Sequence, residues 1–165
     1  MVRLRLFILL IIVTATASCQ EIKTFKDKER GFDFAFPADW DLDTLTTNPL
    51  VTPPKNSSST RASFEILSEE TNETIDKCFQ IYVLDYFPQQ VDSFKIVAQG
   101  TEKVNGQKSK WIEFQYKNSY GARTALIYLM VHKGRVYQME GLVASDEYPI
   151  FKRKFLEMIA SVRLN

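Results

Sequence analysis

The sequence predicts an α+β fold in which helices pack on a twisted antiparallel sheet. Three observations carry this prediction: short segments with apolar residues at every second position, one longer segment with helical spacing, and turn motifs between long apolar runs. A chain of 165 residues, 45% of them hydrophobic, is long enough to bury the core of one domain.

Residues 1–18 predict an export signal, which is set apart from the fold. Arg3 and Arg5 give it a positive start, and the apolar stretch 6–13 falls well short of the about 20 residues that span a bilayer. Small residues then precede Cys19, an arrangement similar to the lipobox of bacterial lipoproteins, in which this cysteine is diacylated. We therefore expect lipid attachment at Cys19, a tether over residues 19–30 and a single domain over residues 31–165.

Two alternatives to lipid attachment remain open. Thr16 stands where a lipobox usually has leucine, so plain secretory cleavage is an alternative. A thiol at Cys19 would be free or bonded to Cys78, although Cys78 lies in an apolar helical pattern. If Cys19 is lipidated, Gln20 in place of an aspartate favours the outer membrane or a periplasm-facing position in a Gram-negative cell.

The first half of the domain contains two strand patterns separated by a loop. Residues 31–37 and 62–66 place apolar side chains at every second position, which is typical of half-buried strands. The segment 48–60 is rich in Pro, Ser and Asn and predicts a long loop. The mixed charges of residues 23–30 predict a solvated linker before the first strand.

An amphipathic helix is predicted from Ile75 to Phe87, ending near Pro88. Its apolar residues recur at intervals of three and four, and Cys78 lies within this stripe. We therefore expect a buried thiol at Cys78.

The second half predicts a meander of antiparallel strands and a final helix. Asn105-Gly106 is a strong hairpin signal, and Lys133-Gly134 and residues 118–121 give two more. The final helix has an apolar stripe, and we expect Ser145 and Asp146 to cap its N-terminus. The stripe consists of Phe151, Phe155, Met158 and Ile159.

Several chemistries lack their sequence signature. The near balance of 21 basic and 20 acidic residues gives no basic excess for nucleic acid. Residues 106–109 lack the earlier glycine of a phosphate-binding loop, and no serine lies in a nucleophile elbow. His132 at a strand end favours a solvated side chain over a catalytic base. One histidine and two cysteines leave too few ligands for a structural zinc site, and residues 39–43 lack the glycine and distal glutamate of a calcium loop. We expect no metal and no cofactor.

Three glutamates and one basic run are weaker candidates. Glu65, Glu113 and Glu140 fall within predicted strands, where the outward face of a half-exposed sheet explains them better than paired acid–base chemistry. Residues 152–154 are basic and predict the wet face of the final helix or a contact with an acidic partner. Tyr120 is the aromatic residue that we do not assign to the core, because it falls at a hairpin tip.

Three segments, GFDFAFPADW, VNGQKSKWIEFQYKN and YPIFKRKFLEMIASVRLN, resemble bacterial members of the PsbP-like family. The resemblance covers residues 30–163, nearly the whole chain after the export signal. It implies an α/β/α sandwich around an antiparallel sheet, with a short strand at residues 161–163 after the final helix. The motifs are structural, and the relatives share protein binding without catalysis.

The combined prediction is a non-enzymatic lipoprotein domain of the cell envelope that docks to another envelope protein, with Tyr120 as its candidate binding residue. The first alternative is a module that binds a small ligand or lipid in a cleft between the sheet and the Ile75–Phe87 helix. The second is a hydrolase with a carboxylate site that has no recognised signature.

Overall fold

A computed structural model describes residues 21–54 and 61–165. The export signal, Cys19 and residues 55–60 of the predicted loop therefore lie outside the described residues. The elements follow in the order β1 (Ile22–Asp27), β2 (Phe32–Pro37), β3 (Asp41–Asp43), β4 (Leu50–Thr52), β5 (Ser63–Glu70), α1 (Ile75–Phe79), a π-helix (Gln80–Tyr86), α2 (Phe87–Gln90), β6 (Asp92–Val104), β7 (Gln107–Asn118), β8 (Gly121–His132), β9 (Arg135–Ala144), α3 (Tyr148–Ser161) and β10 (Arg163–Leu164).

A seven-stranded antiparallel sheet forms the centre of the fold, in the order β3-β4-β5-β9-β8-β7-β6. Strand β8 is buried on both faces, because its alternate residues contribute to two separate hydrophobic clusters. Its continuous apolar sequence therefore has a direct structural cause. The predicted α+β class and antiparallel meander are confirmed.

The predicted turns join the strands of the meander. Asn105 and Gly106 have φ values of 47° and 83°, and Lys133 and Gly134 have 48° and 73°. Both pairs therefore have the positive φ angles that a type I′ turn requires. Asn118 and Gly121 bound the third hairpin, as predicted.

One face of the large sheet is covered by α3 and a small sheet of order β1-β2-β10. The phenylalanines of β2 are buried there with the apolar stripe of α3, as their spacing predicts. The predicted cap of α3 is wrong, because Glu147 occupies the N-cap position. Ser145 instead accepts a hydrogen bond of 2.9 Å from the Thr124 hydroxyl, within a turn that precedes the helix.

The helical segment from Ile75 to Gln90 covers part of the opposite face, which completes an α/β/α sandwich. Cys78 is buried there, as predicted. The middle of the segment is a π-helix, which has more residues per turn than an α-helix. This difference changes which residues face the sheet. Tyr86, predicted to lie in the apolar stripe, is therefore 56% exposed, whereas Val83 remains buried.

The predicted linker over residues 23–30 is wrong for most of its length. Ile22–Asp27 form β1, which pairs antiparallel with β2 and sets Phe25 opposite Phe34. Only Phe25 of this strand packs against the core, and the other side chains are mostly exposed on a sheet edge. Charged side chains are common on edge strands, so the composition of β1 resembles that of a linker.

Candidate docking site

Tyr120 lies at the tip of the β7–β8 hairpin with 68% of its surface exposed. Its backbone N–H donates a hydrogen bond of 2.9 Å to the side chain of Asn118, which closes the turn. The predicted position of Tyr120 outside the core agrees with this placement.

Arg61, two residues before β5, holds the exposed ring in place. Its guanidinium lies 5.4 Å from the centroid of the Tyr120 ring, and its Nη1 donates a hydrogen bond of 3.0 Å to the Tyr120 carbonyl. Cation–π contacts at exposed sites contribute about 0.5–1 kcal/mol. The tip therefore presents an ordered tyrosine and arginine, two residue types that are enriched among the residues that dominate binding energy.

A second arginine, Arg123, supports Arg61 from within the sheet. It is 5% exposed, and its Nη2 donates a hydrogen bond of 2.6 Å to the Arg61 carbonyl. Arg123 also faces Tyr116 across β7 and β8. Burial and the charge of Glu140 raise the pKa of Tyr116, and Arg123 partly offsets them. Arg123 was not among the predicted site residues; its one signal in the sequence is a charge near the start of a mostly apolar strand.

Two of the three candidate carboxylates lie opposite each other. Glu65 of β5 and Glu140 of β9 are direct cross-strand partners. Burial, and then the charge of Glu65, raise the pKa of Glu140 to about 7, although Gln138 donates a hydrogen bond of 3.2 Å that opposes this shift. Burial also raises the pKa of Glu65. This pair can therefore retain a proton near neutral pH.

Glu113 lies on the other face of the sheet and is buried, so the outward position expected for it is wrong. One of its carboxylate oxygens accepts hydrogen bonds of 2.8 Å from the Tyr148 hydroxyl and 2.7 Å from Lys152 Nζ. Burial and this carboxylate raise the pKa of Tyr148. Glu113 therefore fixes the first turns of α3 to β7.

The basic run 152–154 is divided among different contacts. Lys152 pairs with Glu113, Arg153 pairs with Glu157 at 2.8 Å, and Lys154 lies over the Trp40 ring. Because each of these basic side chains has a different partner, the run is better described as part of the solvent-exposed face of α3 than as a concentrated basic patch.

The remaining candidates have ordinary structural positions. His132 ends β8 opposite Arg135 at a hairpin turn. Within residues 21–54 and 61–165, no group of three or more His, Cys, Asp or Glu side chains could hold a metal ion. None of the helices in these ranges is long and apolar enough to cross a membrane.

Between the sheet and the helical segment, Tyr82 lines a cavity of about 50 Å³. Ligand pockets usually measure about 300–1,000 Å³. Nearby, Phe87 and Phe94 pack against Phe114 with ring centroids 5.3 and 4.8 Å apart. Aromatic side chains therefore occupy much of the space that the alternative of a ligand cleft requires.

The arrangement of two sheets and two helical layers is shared with solved structures. Cyanobacterial PsbP (CyanoP) from Synechocystis sp. PCC 6803 superposes with a TM-score of 0.67 at 11% identity, covering 91% of this chain and 96% of that one. The chain has a PsbP-like fold. This confirms the α/β/α sandwich that the sequence resemblance implies.

Two other solved structures share the PsbP-like fold. PA94, a protein of unknown function from Pseudomonas aeruginosa, has a TM-score of 0.64 at 12% identity and covers 87% of this chain and 97% of its own. LpqN, involved in cell envelope biogenesis of Mycobacterium tuberculosis, has a TM-score of 0.60 at 14% identity and covers 88% of this chain and 91% of its own. No family profile and no curated protein sequence matches the chain.

Proposed function

We propose that this protein is a non-enzymatic accessory module of the cell envelope, anchored through a lipid on Cys19, that docks to another envelope protein through Tyr120. The observation that carries the docking role is the exposed Tyr120 ring under the Arg61 guanidinium. An aromatic side chain held in position before binding loses little conformational entropy on association.

The envelope location has separate support. The sequence around Cys19 is similar to a lipobox. A PsbP-like structural neighbour, LpqN, is involved in cell envelope biogenesis, which fits an extracytoplasmic accessory module. The Cys19→Ala variant should leave the membrane fraction, and retention of this variant there would contradict lipid anchoring.

The docking role is tested by comparing two exposed tyrosines. Tyr120 and Tyr86 are both more than half exposed, but Tyr86 lies on the π-helix and Tyr120 lies at the hairpin tip. Cross-linked complexes are purified from cells that express the Tyr120→Ala or Tyr86→Ala variant and compared with those of the unsubstituted protein. We expect an envelope protein that is recovered with Tyr86→Ala and lost with Tyr120→Ala. Equal recovery with both variants would contradict docking at the tip.

A further inference from the structure

The first described residue, Glu21, is only two residues after the predicted lipid attachment residue, Cys19. The Ala38 N–H donates a hydrogen bond of 2.9 Å to the Glu21 carbonyl, and Lys23 Nζ donates one of 2.6 Å to the Ala38 carbonyl. Strand β1 then begins at Ile22. Three residue steps separate Cys19 from Ile22, so the chain between their Cα atoms reaches at most about 11 Å in any conformation.

An apolar groove lies beside this end of β1. It has a volume of about 140 Å³, and Ile22 on its rim is 65% exposed. The groove runs between the small sheet and α3. Its lining consists of Ile22, Ala35, Phe36, Pro37, Lys154, Glu157, Met158 and Ser161.

Helix α3 extends the apolar surface beyond the groove. Ile150 is 70% exposed and lies one helical turn before Lys154, on the same face of the helix. Lysine side chains beside apolar groups suit a water–lipid boundary, because their stems cover apolar surface while the ammonium groups stay hydrated. Glu157 lies on the same face as Lys154, so this face carries both a negative and a positive charge. We therefore expect no strong attraction between the face and anionic lipid.

We propose that this face, defined by Ile22, Ile150 and the groove between β1 and α3 and called here the β1–α3 face, lies against the lipid bilayer that holds the anchor. The inference rests on the proposed lipid attachment at Cys19. A bilayer measures about 40–45 Å with its headgroups and about 30 Å without them, so each headgroup layer is about 5–8 Å thick. A tether of at most about 11 Å is little longer than this layer is thick, so it keeps Ile22 close to the membrane surface.

The short tether would fix the orientation of the domain relative to the membrane as well as attach it. A linker of twelve residues, as the sequence suggested, would let the domain rotate freely above the membrane. The short tether and the hydrogen bonds of residues 21 and 23 remove this freedom. The apolar side chains of the β1–α3 face then contact the headgroups and the upper part of the acyl chains, while the anchor supplies most of the affinity.

The test measures tryptophan fluorescence in the anchored full-length protein. Acylated Ile22→Trp and Ile150→Trp variants, with Tyr86→Trp as the matched control, are purified from bacterial membranes. They are reconstituted into phosphatidylethanolamine–phosphatidylglycerol vesicles with or without brominated acyl chains. The unsubstituted protein gives the background from Trp40 and Trp111. We expect brominated lipid to reduce emission from positions 22 and 150 and to leave position 86 unchanged.

A spacer variant separates orientation from anchoring. A flexible Gly-Ser insert of about 20 residues between Gln20 and Glu21 adds an average reach of about 25 Å. In this variant we expect position 22 to lose its quenching while the protein still sediments with the vesicles.

The outcomes distinguish this inference from the proposed function. Failure of the unsubstituted acylated protein to sediment with vesicles would overturn both. Sedimentation without quenching at positions 22 and 150 would overturn the orientation and leave the anchoring intact. If the quenching is absent and a photoreactive amino acid at position 22 cross-links to a second copy of the chain in the same vesicles, the face serves self-association and the orientation is wrong.

Discussion

Arg123 donates a hydrogen bond of 2.6 Å to the carbonyl of Arg61, and in this way a buried side chain of the central sheet positions an exposed one. Arg61 in turn covers the ring of Tyr120 at the hairpin tip. Two arginines therefore connect the exposed tip to the buried part of the sheet. Its geometry depends on a residue that does not itself reach the surface.

We expect Arg123→Met to lower the free energy of unfolding by about 1–3 kcal/mol, because the Arg61 carbonyl loses a charged donor. Arg153→Met is the matched control, since Arg153 makes an exposed ion pair within one helix and such pairs contribute about 0.3–0.5 kcal/mol. Urea unfolding measures both variants. Equal stability losses would show that the hydrogen bond from Arg123 to the Arg61 carbonyl does not stabilise the fold.

The carboxylate pair predicts an unusual dependence of stability on pH. The pKa of Glu140 is about 7 in the folded protein, against an ordinary value of 4.5. Folding therefore favours the protonated carboxyl. The stabilisation from this group is fully present below about pH 4.5 and is lost as the pH rises through about 7.

We expect Glu140→Gln to stabilise the protein by about 1–3 kcal/mol at pH 8 relative to its effect at pH 4, because glutamine stays neutral at both. Glu65→Gln should reduce the pH dependence only in part, since burial contributes more than Glu65 to the raised pKa. Urea unfolding at a series of pH values measures the difference. If Glu140→Gln and the unsubstituted protein have parallel profiles, the raised pKa is wrong.

The sequence predicted well the features that depend on neighbouring residues. The turns at Asn105-Gly106 and Lys133-Gly134 need positive φ angles that these residues tolerate, and β2 shows a strict alternation of phenylalanine. The π-helix was missed because the apolar spacing from Ile75 to Phe87 also fits an α-helix.

Features that depend on distant residues could not be predicted from local patterns. Glu65 meets Glu140 only because β5 pairs with β9. Arg61 meets Tyr120 only because β5, β9 and β8 lie side by side in the sheet. Only one side chain of β1, the partly buried Phe25, packs against the core, and one such residue is too weak a pattern to separate an edge strand from a linker. Local alternation does not fix which strands pair or in which register.

The contact of Glu113 with α3 gives a further prediction. Tyr148→Phe removes one of the two donors to the buried carboxylate, and we expect a loss of about 1 kcal/mol. For a protein of this size that corresponds to a fall in Tm of about 2–4 °C. Tyr86→Phe, on an exposed tyrosine, should leave Tm unchanged in the same calorimetric measurement. An unchanged Tm for Tyr148→Phe would show that the hydroxyl does not stabilise α3.

The central claim is that the hairpin tip contacts another envelope protein, and photo-crosslinking in intact cells tests it most directly. A photoreactive amino acid is placed at position 120 in one strain and at position 86 in another, both in the otherwise unchanged full-length chain. The account predicts one reproducible cross-linked envelope protein from position 120 and no such product from position 86. The absence of a product from position 120, or the same product from both positions, would contradict docking through Tyr120.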